Sequence, residues 1–161
     1  MSVIKIILWL LLALSSSSTY ADKSPANLYQ QFPSTAEGTG KVYMGREIAY
    51  VMGYQGAAWL ERENREKEER TDLLIQSLNL KAGMAIADIG AGTGYLSRKM
   101  AARVTNTGTV YAVDVQLEMI GKLKAASKQF TNIKPVLSKV DDIQLPANSV
   151  DLAIMVDVYH E

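Results

Sequence analysis

Beyond residue 83 the chain alternates between short apolar runs and stretches whose apolar positions recur every three or four residues. Residues 84–89, 109–113, 133–137 and 150–156 are the runs, and each predicts a strand. Between the first two, Leu96, Met100 and Val104 stand four apart, the spacing of one helix face. Between the second and third, Leu117, Ile120, Leu123 and Phe130 mark another helix, mildly weakened by Gly121. The runs lack strict two-residue alternation, as expected for strands covered on both faces. Strands alternating with helices of this length predict βαβ units and an α/β, doubly wound parallel sheet.

Upstream the pattern differs. Residues 57–80 are predicted helical, with Thr71 and Asp72 as a break or recap, Leu74, Ile75 and Leu78 as a buried stripe, and Gly83 as a stop signal. Glu61/Arg65, Glu63/Lys67 and Glu66/Arg70 stand at i,i+4, which predicts a solvated face laced by charge pairs. Residues 22–56 are rich in Gly, Pro, Ser and Tyr and are expected to be irregular, apart from a short helix near 46–52. At the start, Lys5 precedes a nine-residue apolar run, residues 6–14, followed by four serines and Thr19-Tyr20-Ala21. These are the parts of a secretory signal peptide. Cleavage after Ala21 would leave a mature chain beginning at Asp22, periplasmic or secreted. The apolar run is half of the roughly 20 residues a spanning helix needs, so no stable membrane span is expected after cleavage. The chain thus divides into a signal peptide (1–21), an irregular and helical segment (22–80) and an α/β domain (81–161).

Composition narrows the chemistry. With 48% hydrophobic and 21% charged residues, a buried core is expected. Seventeen basic and seventeen acidic side chains cancel, with no block of one sign, so nothing indicates a nucleic-acid partner. The chain has no cysteine, which excludes disulfides, thiolate catalysis, thiolate-bound metals and a lipoprotein anchor. Its single histidine, His160, excludes any multi-histidine centre, and no metal is expected.

The densest signal is Asp88-Ile89-Gly90-Ala91-Gly92-Thr93-Gly94, between a predicted strand and a predicted helix. Glycines there let a ligand approach the backbone without meeting a Cβ, and the helix start offers unpaired N–H groups. The dinucleotide fingerprint is G-x-G-x-x-G, but the third glycine comes one residue early and Tyr95 stands in its place. That spacing disfavours NAD. A G-x-G-x-G loop preceded by an acid resembles motif I of class I methyltransferases, which bind S-adenosyl-L-methionine.

The resemblance implies roles for further residues. Asp114 ends the second apolar run, twenty residues after Gly94, where the family holds the ribose hydroxyls; the plainer alternative is a cap for the following helix. Asp141 and Asp142 follow the third run, where the pattern places a side chain beside the adenine amino group. Leu145-Pro146 and Asn148-Ser149-Val150-Asp151 resemble the loop into the fourth strand. Asp88 would orient the amino-acid end of the cofactor, and Gly90, Gly92 and Gly94 would admit it. Asp157 and His160, at the carboxyl end of the fourth strand, are candidates for acceptor contacts or proton removal, with polar packing as the alternative for His160. Neither Asp114 nor Gly92 stands at a predicted core position. The segment from Gly45 to Arg62 resembles the N-terminal part of a group of exported bacterial methyltransferases, which makes 22–80 a candidate lid, with Trp59 either its anchor or a core residue. A class I domain has seven strands and this sequence supplies four, so a partial, Rossmann-like methyltransferase domain with an exposed fourth strand is expected, either a methyl-transferring enzyme or a non-catalytic cofactor-binding remnant.

Overall fold

The computed structural model describes residues 29–158; the predicted signal peptide and His160 lie outside them. Four parallel strands, β4 (Ala85–Ile89), β5 (Thr109–Asp114), β6 (Ile133–Leu137) and β7 (Leu152–Met155), form one sheet in the order β6-β5-β4-β7. All four predicted strands are present, within two residues of their expected bounds. The order reverses beside β4, because the chain steps outward through β5 and β6 and then returns to the other side as β7. A crevice at the carboxyl ends of such strands is where open α/β sheets bind ligands.

Helices α4 (Tyr95–Val104) and α5 (Leu117–Ser127) connect these strands and pack on them. Leu96, Met100 and Val104 of α4 and Ile120 and Leu123 of α5 are buried against Ile86, Val110, Ala112, Ile133 and Ile154 of the sheet. The predicted stripe of α5 needs two corrections. Phe130 packs against the core from beyond the helix, which ends at Ser127. Leu117 is 66% exposed, and Met119 is buried in its stead, because the helix begins at Leu117 and its first residue faces away from the sheet.

The expectation for the N-terminal segment was wrong in kind. Residues 30–49 form a three-stranded antiparallel sheet: β1 (Gln30–Gln31), β2 (Gly38–Tyr43) and β3 (Arg46–Ala49). The short helix expected near 46–52 is therefore a strand followed by coil. Met44 and Gly45 both take positive φ, 48° and 83°, and close a two-residue hairpin loop in which Tyr43 faces Arg46. The carboxylate of Glu47 reaches back to the N–H groups of Thr35 (3.1 Å) and Gly40 (2.6 Å), tying the ends of the hairpin together.

Residues 57–80 are helical but broken into α1 (Ala57–Leu60), α2 (Arg65–Glu69) and α3 (Thr71–Ser77). The break before Thr71 falls where the sequence placed it, at Arg70 in the left-handed region. The predicted i,i+4 pairs do not form. Glu61 closes α1 and Arg65 opens α2, so the two never share a helix face, and Arg70 has left the helix to pair with Asp72. Glu61 instead bonds Arg98, and Glu66 bonds Lys99. The charge run is thus no merely solvated face, since it grips the start of α4. Leu74, Ile75 and Leu78 do pack against the core, with Ile75 fully buried. Among the described residues no helix is long and apolar enough to cross a membrane.

Candidate functional site

The loop from β4 to α4 carries Gly90, Gly92 and Gly94, all with positive φ. At Gly92, φ is 57°, a conformation that favours glycine, and a Cβ there would stand 2.7 Å from Cδ1 of Leu60 at the end of α1, so Leu60 lies on the loop. The side chain of Val158, just past β7, lies against Gly90 in the same way. The N-terminal helices and the end of β7 therefore meet over the glycine loop.

Asp114 closes β5 and is 6% exposed. Its Oδ2 accepts the Gly92 N–H at 2.9 Å, and its Oδ1 accepts the Gln116 N–H at 2.8 Å. This carboxylate joins the first and second strand ends into one unit. It does not cap α5, whose cap position is Gln116 with no side-chain bond. Each carboxylate oxygen has two lone-pair positions, so both oxygens can still accept hydroxyls.

Asp88, in the central strand, is 3% exposed and takes the Ser97 hydroxyl at 2.5 Å on Oδ2. Burial pushes its carboxyl from 3.8 up to about 6, and the charge of Asp114 adds to this, while the Ser97 hydroxyl and the charge of Arg65 oppose it. Thr93 is 7% exposed, and its hydroxyl is one of two buried side-chain polar atoms without a partner among the described residues, the other being that of Ser149. A buried orphan hydroxyl inside the loop, beside a glycine cradle and an acid with free lone pairs, fits a ligand rich in polar groups.

Asp141 and Asp142 lie on the loop after β6, at the same end of the sheet, and both are exposed. Asp142 turns onto its own loop, with Oδ1 accepting the Gln144 N–H at 2.8 Å, and no bond connects it to Asp114 or the glycines. Asp157 is exposed just past β7 with φ 54°, and Val158 next to it touches Gly90. Trp59 is neither core nor buried anchor: it is 53% exposed, with the Arg62 guanidinium 3.8 Å from its ring centroid.

Three side chains outside the candidate site residues hold the site in place. Arg65, 6% exposed, donates from Nη1 to the Leu60 carbonyl (2.8 Å) and from Nε to Glu69 (2.8 Å), and stacks 4.4 Å from the Tyr95 ring. Glu66 accepts from Tyr95 Oη (3.0 Å), Thr71 Oγ1 (2.5 Å), the Asp72 N–H (2.6 Å) and Lys99 Nζ. The Lys99 ammonium, with the Thr71 hydroxyl next, holds its carboxyl well below the usual carboxylate range. Gln116 bonds the backbone on both sides of Gly53, at Met52 and Tyr54. The signal for Arg65 and Glu66 was their place in a charge run that breaks over three short helices. Nothing in the sequence marked Gln116.

Residues 86–161, just under half of the chain, match the family described as a methyltransferase domain. Over 64 residues the chain is 33% identical to the probable cobalt-precorrin-6B C(15)-methyltransferase (decarboxylating) of Saccharolobus solfataricus, covering 40% of this chain and 32% of that protein. The crystal structure of a SAM-dependent methyltransferase from Aquifex aeolicus superposes with a TM-score of 0.60 at 27% identity, over 64% of this chain and 56% of that one. A complex between the Haloferax volcanii Trm112 methyltransferase activator and a methyltransferase gives a TM-score of 0.51 at 19% identity, over 65% and 47%, a likeness of fold alone. The chain spans about a third of the curated relative and about half of each solved structure. Its α/β domain has the Rossmann-like fold of class I methyltransferases, and the family match covers this part of the chain.

Proposed function

We propose that the protein binds S-adenosyl-L-methionine across the carboxyl ends of β4 and β5 and transfers its methyl group to an acceptor approaching from the side of Asp157. The observation that carries this reading is the buried Asp114 carboxylate, bonded to Gly92 of a loop in which the Thr93 hydroxyl lacks a partner. S-adenosyl-L-methionine, when bound, supplies a methyl group already made electrophilic by its sulfonium. The protein's part is then alignment and desolvation. Asp114 takes the vicinal ribose hydroxyls on its remaining lone pairs. Gly92 admits the ligand to the backbone, and the Thr93 hydroxyl gains a partner. Asp88 fixes the first turn of α4 through Ser97, behind the amino-acid end of the ligand. Asp142 or Asp141 reaches the adenine from the loop after β6. Asp157, exposed just past β7, and His160, by its place in the sequence, are the candidates for acceptor contacts or proton removal.

Calorimetric titration of the full chain with S-adenosylhomocysteine, S-adenosyl-L-methionine and NAD tests this. Saturable binding of the first two and none of NAD is expected. A preference for NAD, or binding of none of the three, overturns it.

The proposal includes export, supported by the charged start, short apolar run and small-residue site of residues 1–21. Expression in a bacterial host is expected to give a mature N-terminus at Asp22, read by intact mass. Cytoplasmic protein that retains Met1 would refute it.

A further inference from the structure

Gln116 stands two residues past Asp114, half-buried between the β5–α5 loop and the coil that precedes α1. Its Oε1 accepts the Tyr54 N–H at 2.8 Å and its Nε2 donates to the Met52 carbonyl at 2.9 Å. One planar amide thus meets an acceptor and a donor on either side of Gly53, whose backbone is extended. The partners fix which way the amide points, since Tyr54 offers only a donor there and Met52 only an acceptor. No other side-chain type of this length carries both groups on one plane.

The bonds of Gln116 continue into the candidate site. Its backbone N–H goes to Asp114 Oδ1, Asp114 Oδ2 takes the Gly92 N–H, and Leu60 lies on Gly92. Leu60 belongs to the stretch that Gln116 holds at its other end, and its carbonyl is fixed by Arg65. Residues 52–60 are therefore bonded at one end to the loop after β5, and at the other are held by Arg65 with Leu60 lying on the loop after β4. A ligand bonded to Asp114 bears on a group that already orders Gln116, and a segment held down over Gly92 bears on the ligand.

We propose that Gln116 is a positioning residue that latches residues 52–60 across the carboxyl ends of β4 and β5, so that closure of this segment and occupancy of the Asp114 site strengthen one another. The coupling rests on the proposed cofactor reading; the latch does not. By linkage the effect is reciprocal: whatever tightens the segment tightens the ligand by the same factor.

Hydrogen exchange by mass spectrometry on the full chain, with and without S-adenosylhomocysteine, tests this in wild type, Gln116→Met and Gln116→Glu. Methionine keeps the length and removes both bonds. Glutamate keeps the acceptor for Tyr54 and loses the donor to Met52. Amides of residues 52–60 are expected to exchange roughly tenfold faster in Gln116→Met, the loss of two neutral hydrogen bonds at an exposed site, with Gln116→Glu between it and wild type. S-adenosylhomocysteine should slow that exchange in wild type and bind roughly tenfold more weakly to Gln116→Met. A cooperative thermal melt shows that a variant is folded, and if Gln116→Met fails it, Gln116→Glu carries the comparison. Equal exchange in wild type and variants overturns the latch. Faster exchange with unchanged affinity overturns the coupling. Faster exchange in a chain whose wild type binds no S-adenosylhomocysteine supports the latch and overturns the cofactor reading beneath the coupling.

Discussion

Gly92→Val is expected to lower the affinity for S-adenosylhomocysteine about a hundredfold. Valine is β-branched and would have to adopt φ 57°, which costs of order 1–3 kcal/mol in strain. Its Cβ would also stand 2.7 Å from Leu60 Cδ1, so the Leu60 side chain must shift, and the branched side chain would stand beside the ligand's approach to the loop backbone. Asp114→Ala should lower affinity at least tenfold, because each charge-assisted bond to a ribose hydroxyl is worth roughly 1.5–3 kcal/mol and about 1.4 kcal/mol is a factor of ten. The sequence suggested that neither change would act through folding, and the structure corrects this for Asp114. Its removal leaves the Gly92 N–H buried without an acceptor, which costs about 1–3 kcal/mol of stability. Urea midpoints measured beside the titrations separate the two effects. Equal affinity of wild type and Asp114→Ala would sink the ribose assignment.

What the sequence disclosed follows the strength of its periodic signals. The four parallel strands were legible because each is a short apolar run; β4 and β5 are buried between their neighbours and the helices, while β6 and β7 are buried only in part. The glycine loop and Asp114 were legible because spacing along one chain segment brings them together. The hairpin of residues 38–49 was not. Its strands hold two glycines, a lysine and a Glu47 whose carboxylate turns back on the loop, and its turn is Met44-Gly45, outside the usual turn dipeptides. Nor was the pairing of the charge run, because a helical period was assumed to continue through Arg62–Asn64, where the backbone breaks into separate short helices. Once α1 and α2 are separate, Glu61 and Glu66 are free to face Arg98 and Lys99 of α4, contacts 37 and 33 residues away. Tertiary partners of that separation leave no mark in local pattern, and Gln116 with its bonds 62 and 64 residues distant was hidden for the same reason.

Asp88→Asn should stabilise the protein at neutral pH while weakening cofactor binding. The wild-type carboxyl is buried, with its folded value near 6 against an ordinary 3.8. Between about pH 4 and 6 the folded state therefore holds more proton than the unfolded state. Stability contributed by the neutral form is present below pH 4, falls as pH rises through this window and is gone above about 6. A shift of this size corresponds to about 3 kcal/mol. Asparagine is neutral at every pH, and its amide oxygen can still accept the Ser97 hydroxyl, so the variant keeps the bond at 2.5 Å without the buried charge. The difference in melting temperature between variant and wild type is expected to be small at pH 4, to grow through pH 6 in favour of the variant, and to level off near pH 7. At pH 7.5 the variant should bind S-adenosylhomocysteine more weakly, because the negative charge behind the first turn of α4 orients that turn toward the amino-acid end of the ligand. Melting curves that stay parallel from pH 4 to 8 would show that Asp88 is ionised in the fold at all these values, held so by Ser97 and the charge of Arg65.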